Sequence, residues 1–592
     1  MKAFLVPGRR RAAMLLVVAI AAVVGVFTLG GASTHAAATT ASGVSATGGY
    51  SGAPLCVQYP QLCTEQENPW TYNGYTYTSG HDEPSLLFYS HKAGSGNSNE
   101  YRLTLPTDPA VPPSQDGTGT TWNFQLHPAF WFGMAMCDDQ SAPNPGVPCP
   151  ADSDTNIHTG TDASQPNYIG LTPGSAFMEM QFYPPGWGPV SCTDGEGNTD
   201  GKWCSALTID SDPVNQNTGT PNNPACQASQ GPEPVNWAAI TKSGIPVAPA
   251  NPFTPFGEQA VVTDDTLEYS NGDQLVIDMH DTKAGFQVVI HDLTSGDTGS
   301  MTASTANGFG HALYEPNAHS CKFRPYAFHP MYSTSTPDTR VLWAAHSYNV
   351  AFSDEIGHFE YCGSVNTTNF HCNNGSSDGN GSNADFDDRA CFPAPIVGPT
   401  GNTLSPSFSG CLFTDVDFDG PEYQQGTWPG STGAVPGNVS TPIVFSSPLF
   451  SKGAHGGKGP FNNNYDQVAF ETDLPRIEGS DSSTNNDCQR HYSNPADPDP
   501  GHDCINPPNG ATFYPIYSTF NGPDGTCLWE EGGDNIAGAT NNFGGNPLEY
   551  GDILVSNYPT ATAAEGPFTV TQRGNNFHRN LSDNPCPSST KK

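Results

Sequence analysis

Gln274-Leu-Val-Ile-Asp-Met-His280, then Asp281 to Gly285, then Phe286-Gln-Val-Val-Ile-His291 is the stretch that decides the fold class. Successive side chains of a strand point to opposite faces. Leu275, Ile277 and Met279 therefore share one face with Phe286, Val288 and Ile290, while Asp278, His280, Gln287 and His291 share the other. A turn closing around residues 282–285 sets His280 opposite Gln287. One apolar and one polar face describe an antiparallel sheet whose polar side meets water or a cleft. A plainly solvated face is the simpler reading of that polar side.

The same period recurs in Ser175-Ala-Phe-Met-Glu-Met-Gln-Phe-Tyr183, which ends at Pro184-Pro185-Gly186. Met178, Met180 and Phe182 point to a core, and Phe177, Glu179, Gln181 and Tyr183 form a row on the opposite face. A carboxylate, an amide and two aromatics in one row suit a groove that holds a sugar or an extended peptide, and equally an ordinary half-exposed strand. No long stretch has helical periodicity. With 64 Gly and 55 Pro in 592 residues, short alternating runs between turn clusters predict an all-β protein, an antiparallel double sandwich. The clearest strands lie in 56–365. A polar linker over 366–389 precedes a loop-rich, disulfide-stapled region at 390–592, either a second domain or an extension of the sandwich.

Lys2 and Arg9-Arg10-Arg11, the apolar run Ala12 to Leu29 and the small residues Gly31 to Ala36 read as a signal peptide over 1–36, with a flexible leader over 37–55. The apolar run is close to membrane-spanning length, so an uncleaved anchor is the alternative. No later segment is apolar enough to span a bilayer, and the mature chain is expected to be secreted. All 16 cysteines lie in that mature part, and an even number in an exported chain favours disulfides. Cys137/Cys149, Cys192/Cys204 and Cys488/Cys504 flank loops and are expected to close locally. With 58 acidic and 21 basic residues and a net charge of −37, there is no basic patch to displace counterions, which argues against a nucleic-acid partner.

Asp415-Val-Asp417-Phe-Asp419-Gly420 is the sharpest motif. Alternate aspartates wrap one hard cation, the glycine permits the closing turn, and Glu422 adds a further oxygen; calcium is the expected ion, in a structural role. The twelfth position is Gly426, so the loop is not an EF-hand. Asp385, Asp387 and Asp388 form a second acidic cluster upstream. Seven of the 17 histidines fall between His280 and His358, without the spacing of a zinc signature. In Glu355-Ile-Gly-His358-Phe-Glu360 the strand period puts His358 and Glu360 on one face, where the carboxylate can orient the ring.

Gly272-Asp-Gln-Leu-Val-Ile and Val288-Val-Ile-His-Asp-Leu-Thr-Ser-Gly296 resemble the hairpin of the glutamic peptidases, as do Phe130-Trp131-Phe-Gly133 and Phe177-Met-Glu179-Met with Tyr183-Pro184. The resemblance covers residues 120–365. It implies a concanavalin-A-like sandwich and a catalytic Gln–Glu pair, for which the closest positions are Gln140 or Gln181 and Glu315. In place of the family's Ala-Glu-Trp context stands Cys321-Lys-Phe-Arg-Pro-Tyr-Ala-Phe-His-Pro330. Asp417-Phe-Asp-Gly-Pro-Glu-Tyr, Trp428-Pro-Gly and Phe470 to Glu478 resemble blocks of a group of exported actinobacterial proteins, a resemblance that carries no activity.

Two functions fit. One is a hydrolase of extracellular peptide or glycan polymers, with Glu179, Gln181, Glu315 and His358 as candidate catalytic residues. The other is a non-catalytic glycan- or surface-binding protein. A metal-dependent enzyme built on the histidine cluster is a third and less favoured reading.

Overall fold

In a computed structural model, the residues described with their side chains are mainly 85–109, 129–141, 144–148, 173–185, 202–211, 222–230, 234–336, 350–354, 440–451, 459–468, 517–530 and 583–586. A few short strands beyond these are described as backbone only.

Two antiparallel sheets face each other, as the alternating runs predict. In chain order their strands and the neighbouring hairpin are β1 (Ser85–Tyr89), β2 (Ser98–Thr104), β3 (Ala129–Cys137), β4 (Ser175–Tyr183), β5 (Cys204–Ser211), β6 (Val235–Ala239), β7 (Gln274–Thr282), β8 (Gly285–Asp292), β9 (Thr298–Thr302), β10 (Gly310–Ala312), β11 (Phe323–Pro325), β12 (Val350–Glu355), β13 (Ile443–Ser446), β14 (Leu449–Phe450), β15 (Asn463–Asn464), β16 (Gln467–Asp473), β17 (Ser518–Asn521), β18 (Cys527–Glu531) and β19 (Phe577–Asp583). The eight-stranded sheet runs β6-β5-β4-β3-β12-β1-β16-β19. The nine-stranded sheet runs β9-β8-β7-β2-β13-β18-β17, with β14 beside β2 and β15 beside β14. The hairpin read from sequence is β7–β8, and its register does set His280 opposite Gln287. The region after residue 390, read as loop-rich, supplies strands to both sheets.

The core lies between the sheets and is largely aromatic. Tyr101 of one sheet meets Phe132 of the other at 4.4 Å between ring centroids, Phe352 stacks on Phe445 at 4.1 Å, and Phe88 meets Trp529 edge-on at 6.2 Å. Each such ring buries roughly 150–250 Å², and the pair geometry adds about 0.5–1.5 kcal/mol beyond area. Leu275, Ile277, Met279, Phe286, Val288 and Ile290 all enter this core, as the hairpin pattern requires.

The outer face of the eight-stranded sheet departs from expectation. Every described residue of β3, β4 and β5 is buried on both faces. Period-2 reading assigns a side chain to a face but is silent on whether that face is covered. Part of the cover here is Met331 and Tyr332, packed with Leu87, Trp131 and Phe177.

Cys226–Cys321 joins the helix α1 (Pro224–Gln230) to the segment entering β11, and Cys527–Cys586 ties β18 to the C-terminal tail. Cys137 and Cys204 are also disulfide-bonded, with partners outside the described residues, where the remaining expected pairs also lie. These bonds belong to an oxidising environment. Among the described residues, no helix is long and apolar enough to cross a membrane.

On the outer face of the nine-stranded sheet, Glu100 of β2 sits opposite Asp278 of β7. Burial, and then Asp278, push the Glu100 carboxyl up, with Arg102 opposing. A carboxyl raised on folding favours the native state fully below its unfolded pKa of about 4.3, and that benefit is lost as pH rises through the folded value. Glu100→Gln is therefore expected to raise the melting temperature at pH 7. The gain should vanish near pH 4 in paired thermal melts.

Candidate functional site

Two polar clusters stand out, one read from sequence and one not. The first is the β4 row. Trp237 Nε1 donates to the Tyr183 hydroxyl at 3.2 Å, the Tyr183 hydroxyl donates to Gln181 Oε1, and Gln181 Nε2 donates to Glu179 Oε2. The donors all point one way, so the relay ends on the carboxylate. Strand geometry explains the row, because alternate residues of β4 stand about 6–7 Å apart on one face. Glu179 is 0% exposed and Gln181 4%. Register aligns Glu179 with Gly133 of β3 on one side and Thr208 of β5 on the other, and the Thr208 hydroxyl donates to the Glu179 carbonyl at 3.3 Å.

Gly133 leaves room for two aromatic rings. A Cβ there would lie 2.5 Å from Phe177 Cζ and 2.6 Å from Trp131 Cζ3. The two rings instead close edge-to-face at 5.5 Å over the glycine and wall this side of Glu179.

Of the other expected catalytic residues, Glu315 and Gln140 stand apart from the row. Glu315 is bound elsewhere: its carboxylate accepts from Lys322 Nζ at 2.8 Å, and its backbone N–H donates to the Asn222 carbonyl. Gln140 has its side-chain oxygen on the Tyr314 N–H and its amide nitrogen on Asp139. The side chain of His358 lies outside those described, although its backbone pairs in parallel with Asp417. Asp415, Asp419 and Glu422 lie outside the described residues.

The second cluster was missed in the sequence. Asp138, at the end of β3, is fully buried and accepts four hydrogen bonds: Ser141 Oγ at 2.6 Å, His311 Nδ1 at 2.7 Å, and Ser211 Oγ and the Gln140 N–H each at 2.9 Å. His311 comes from β10 and stacks on Tyr326 at 4.3 Å. Arg324 of β11 donates from Nε to His311 Nε2 at 3.0 Å and from its terminal nitrogen to Asp139 Oδ1 at 3.1 Å. A guanidinium only donates, so His311 Nε2 accepts and its proton sits on Nδ1. Burial alone would raise the Asp138 carboxyl; His311 and the Ser141 and Gln140 hydrogen bonds outweigh it and hold the group below its usual range. Burial also pushes the Tyr326 phenol up, reinforced by Asp138 and Asp139.

Asp138, Asp139 and His311 each offer a ligand atom, all within 4.8 Å of one another, so this group could hold a metal ion. Here Arg324 supplies the positive charge instead. The Arg324 side chain is 47% exposed, so an entering cation would exchange with a side chain that has room to leave.

The segment carrying His311 and Arg324 is fixed locally. Cys226–Cys321 staples it to α1, and Asn223 Nδ2 donates to the Leu313 carbonyl at 2.8 Å. Gly174 packs directly beneath Asp138. A Cβ there would lie 2.1 Å from the Asp138 carbonyl oxygen and 2.5 Å from that of Ser141, both backbone atoms. Gly174→Ala is expected to cost about 3 kcal/mol, the upper end of overpacking, as read by denaturant titration. A loss within error would mean the loop yields freely.

No family model, curated protein or solved structure matches this chain.

Proposed function

We propose that the protein is an exported hydrolase of extracellular peptide or glycan polymers that works through the Glu179 carboxylate and the Gln181 amide. The observation that carries this reading is the directed relay from Trp237 through Tyr183 and Gln181 to Glu179. Glu179 would take a proton from the attacking water and return it to the leaving group. An amide nitrogen carries two N–H donors. One of those on Gln181 holds Glu179, and the other is left for the oxygen on which negative charge develops. Tyr183 fixes the amide orientation by donating to its oxygen.

The burial of the row means that substrate enters only when the cover over this face opens. A closed resting site keeps the relay dry, which strengthens each of its hydrogen bonds. The test is cleavage of a panel of denatured proteins and polysaccharides from about pH 3 to about pH 7. Products released by the wild type and not by Gln181→Ala support the proposal; an inert wild type overturns it.

A second reading, a non-catalytic extracellular binding protein, draws on the same burial, since a buried row whose members hydrogen-bond one another is also what a purely structural face requires. It expects polymer retention without cleavage.

Calcium at Asp415, Asp417, Asp419 and Glu422 completes the proposal as a structural brace. Calcium is expected to raise the melting temperature of the wild type and to leave Asp417→Ala/Asp419→Ala unchanged. A wild type whose melt is indifferent to EDTA would remove the ion from this account. Export through the N-terminal signal fits the disulfides.

A further inference from the structure

The opposite sheet carries a third group that the hydrolase reading does not use. Strands β2 and β7 are antiparallel neighbours whose register places His280 directly across from Ser98. Residues so paired have Cβ atoms about 4.5–5.5 Å apart. His280 Nδ1 lies 2.8 Å from Asp278 Oδ1, one strand repeat away on the same face. Both Ser98 and His280 are 1% exposed. The remaining polar atoms, His280 Nε2 and Ser98 Oγ, are buried without a hydrogen-bond partner and do not bond each other, so their pairing rests on the strand register and would close on substrate binding. A structural histidine on this face would gain from a partner on both nitrogens, and an unmet buried polar atom costs about 1–3 kcal/mol. Two such atoms on directly opposed residues call for an explanation.

The Asp278 carboxylate can only accept when ionised, so it fixes the proton of His280 on Nδ1 and leaves Nε2 as a bare lone pair. A hydroxyl, a base and a carboxylate that orients the base are the parts of an activated nucleophile, which is recognised by roles and geometry rather than by position in the chain. We infer that Ser98 is an acyl-accepting nucleophile with His280 as its base and Asp278 as the residue that positions His280.

The acyl donor that asks least of such a pair is a carboxylic ester, because an alcohol leaves more readily than an amine. Ser98 Oγ forms a bond to the carbonyl carbon and passes its proton to His280 Nε2. The bond to the leaving alcohol then breaks, and His280 returns the proton to that alcohol. Water repeats both steps, releasing the acid and restoring Ser98. The site is independent of Glu179, which belongs to the other sheet.

The experiment is labelling of the full mature chain with diisopropyl fluorophosphate, in which Ser98 Oγ bonds to phosphorus, the phosphorus–fluorine bond breaks, and the proton leaves through His280. Intact mass and peptide mapping should find one phosphoryl group, on Ser98, and none on Ser98→Ala. His280→Gln should slow labelling by about 10²–10⁴-fold, the usual worth of a positioned general base. Asp278→Asn accepts the same bond without the charge; it should slow labelling and change the ¹⁵N signals that report the His280 tautomer. Melting curves confirm that each variant is folded. A folded wild type that takes no label on Ser98, or a His280→Gln variant labelled at the wild-type rate, overturns the inference.

Discussion

Glu179→Gln is expected to lower kcat/KM for polymer cleavage by about 10²–10⁴-fold, the range for loss of a positioned acid–base group. That corresponds to roughly 3–5 kcal/mol of transition-state stabilisation at about 1.36 kcal/mol per tenfold. The substitution keeps size and leaves one oxygen to accept from Gln181, and the flanking walls of Trp131 and Phe177 are untouched. The fold should therefore survive, with a melting temperature close to that of the wild type. The amide cannot exchange a proton with water as a carboxyl does, so the variant's residual rate should carry no limb from this group. If Glu179→Gln retains full activity while remaining folded, the carboxylate is not the acid–base group.

Asp138→Ala should be the most damaging substitution for stability. It strands His311 Nδ1, two serine hydroxyls and the Gln140 N–H in a buried site. Each buried donor left without its acceptor costs roughly 1–3 kcal/mol, so the combined loss is expected to reach about 3–5 kcal/mol. The pH dependence has a definite sign. The Asp138 carboxyl is held low in the fold, so its contribution is fully present above the unfolded value of about 3.9 and is lost as pH falls through the folded value. Urea titrations of wild type and Asp138→Ala should thus differ most near neutrality and converge in strong acid. A gap that is constant from neutrality into strong acid would mean that the protonation of this carboxyl does not control the site.

The two large faces were legible because alternation survives wherever a strand is long enough. The nine-residue runs 274–282 and 175–183 each announce which side chains meet the core. The C-terminal strands were not legible. Ile443–Ser446 and Cys527–Glu531 are short, sit among Gly, Pro and Asn turns, and pair with each other from far apart in the chain. The Asp138 cluster failed for a related reason: Asp138 and His311 are 173 residues apart and meet only through the sheet and the hairpin stapled by Cys226–Cys321. One signal was present. The run Ala129–Cys137 is apolar throughout and ends abruptly in Asp138-Asp139, a place where a carboxylate enters the protein interior and must find partners. His311 stood in the histidine-rich stretch, but nothing in its spacing singled it out from its neighbours. For Glu179 and Gln181 the shared face was readable and their burial was not, since cover comes from tertiary contacts.

Hydrolysis by the Glu179–Gln181 pair is tested most directly by the pH profile of kcat/KM for one cleaved polymer, measured in parallel for wild type and Glu179→Gln. The expected result is a wild-type profile with a limb set by one carboxyl group and a variant whose residual rate has lost that limb. Superimposable profiles, from two proteins with the same melting temperature, would contradict the claim.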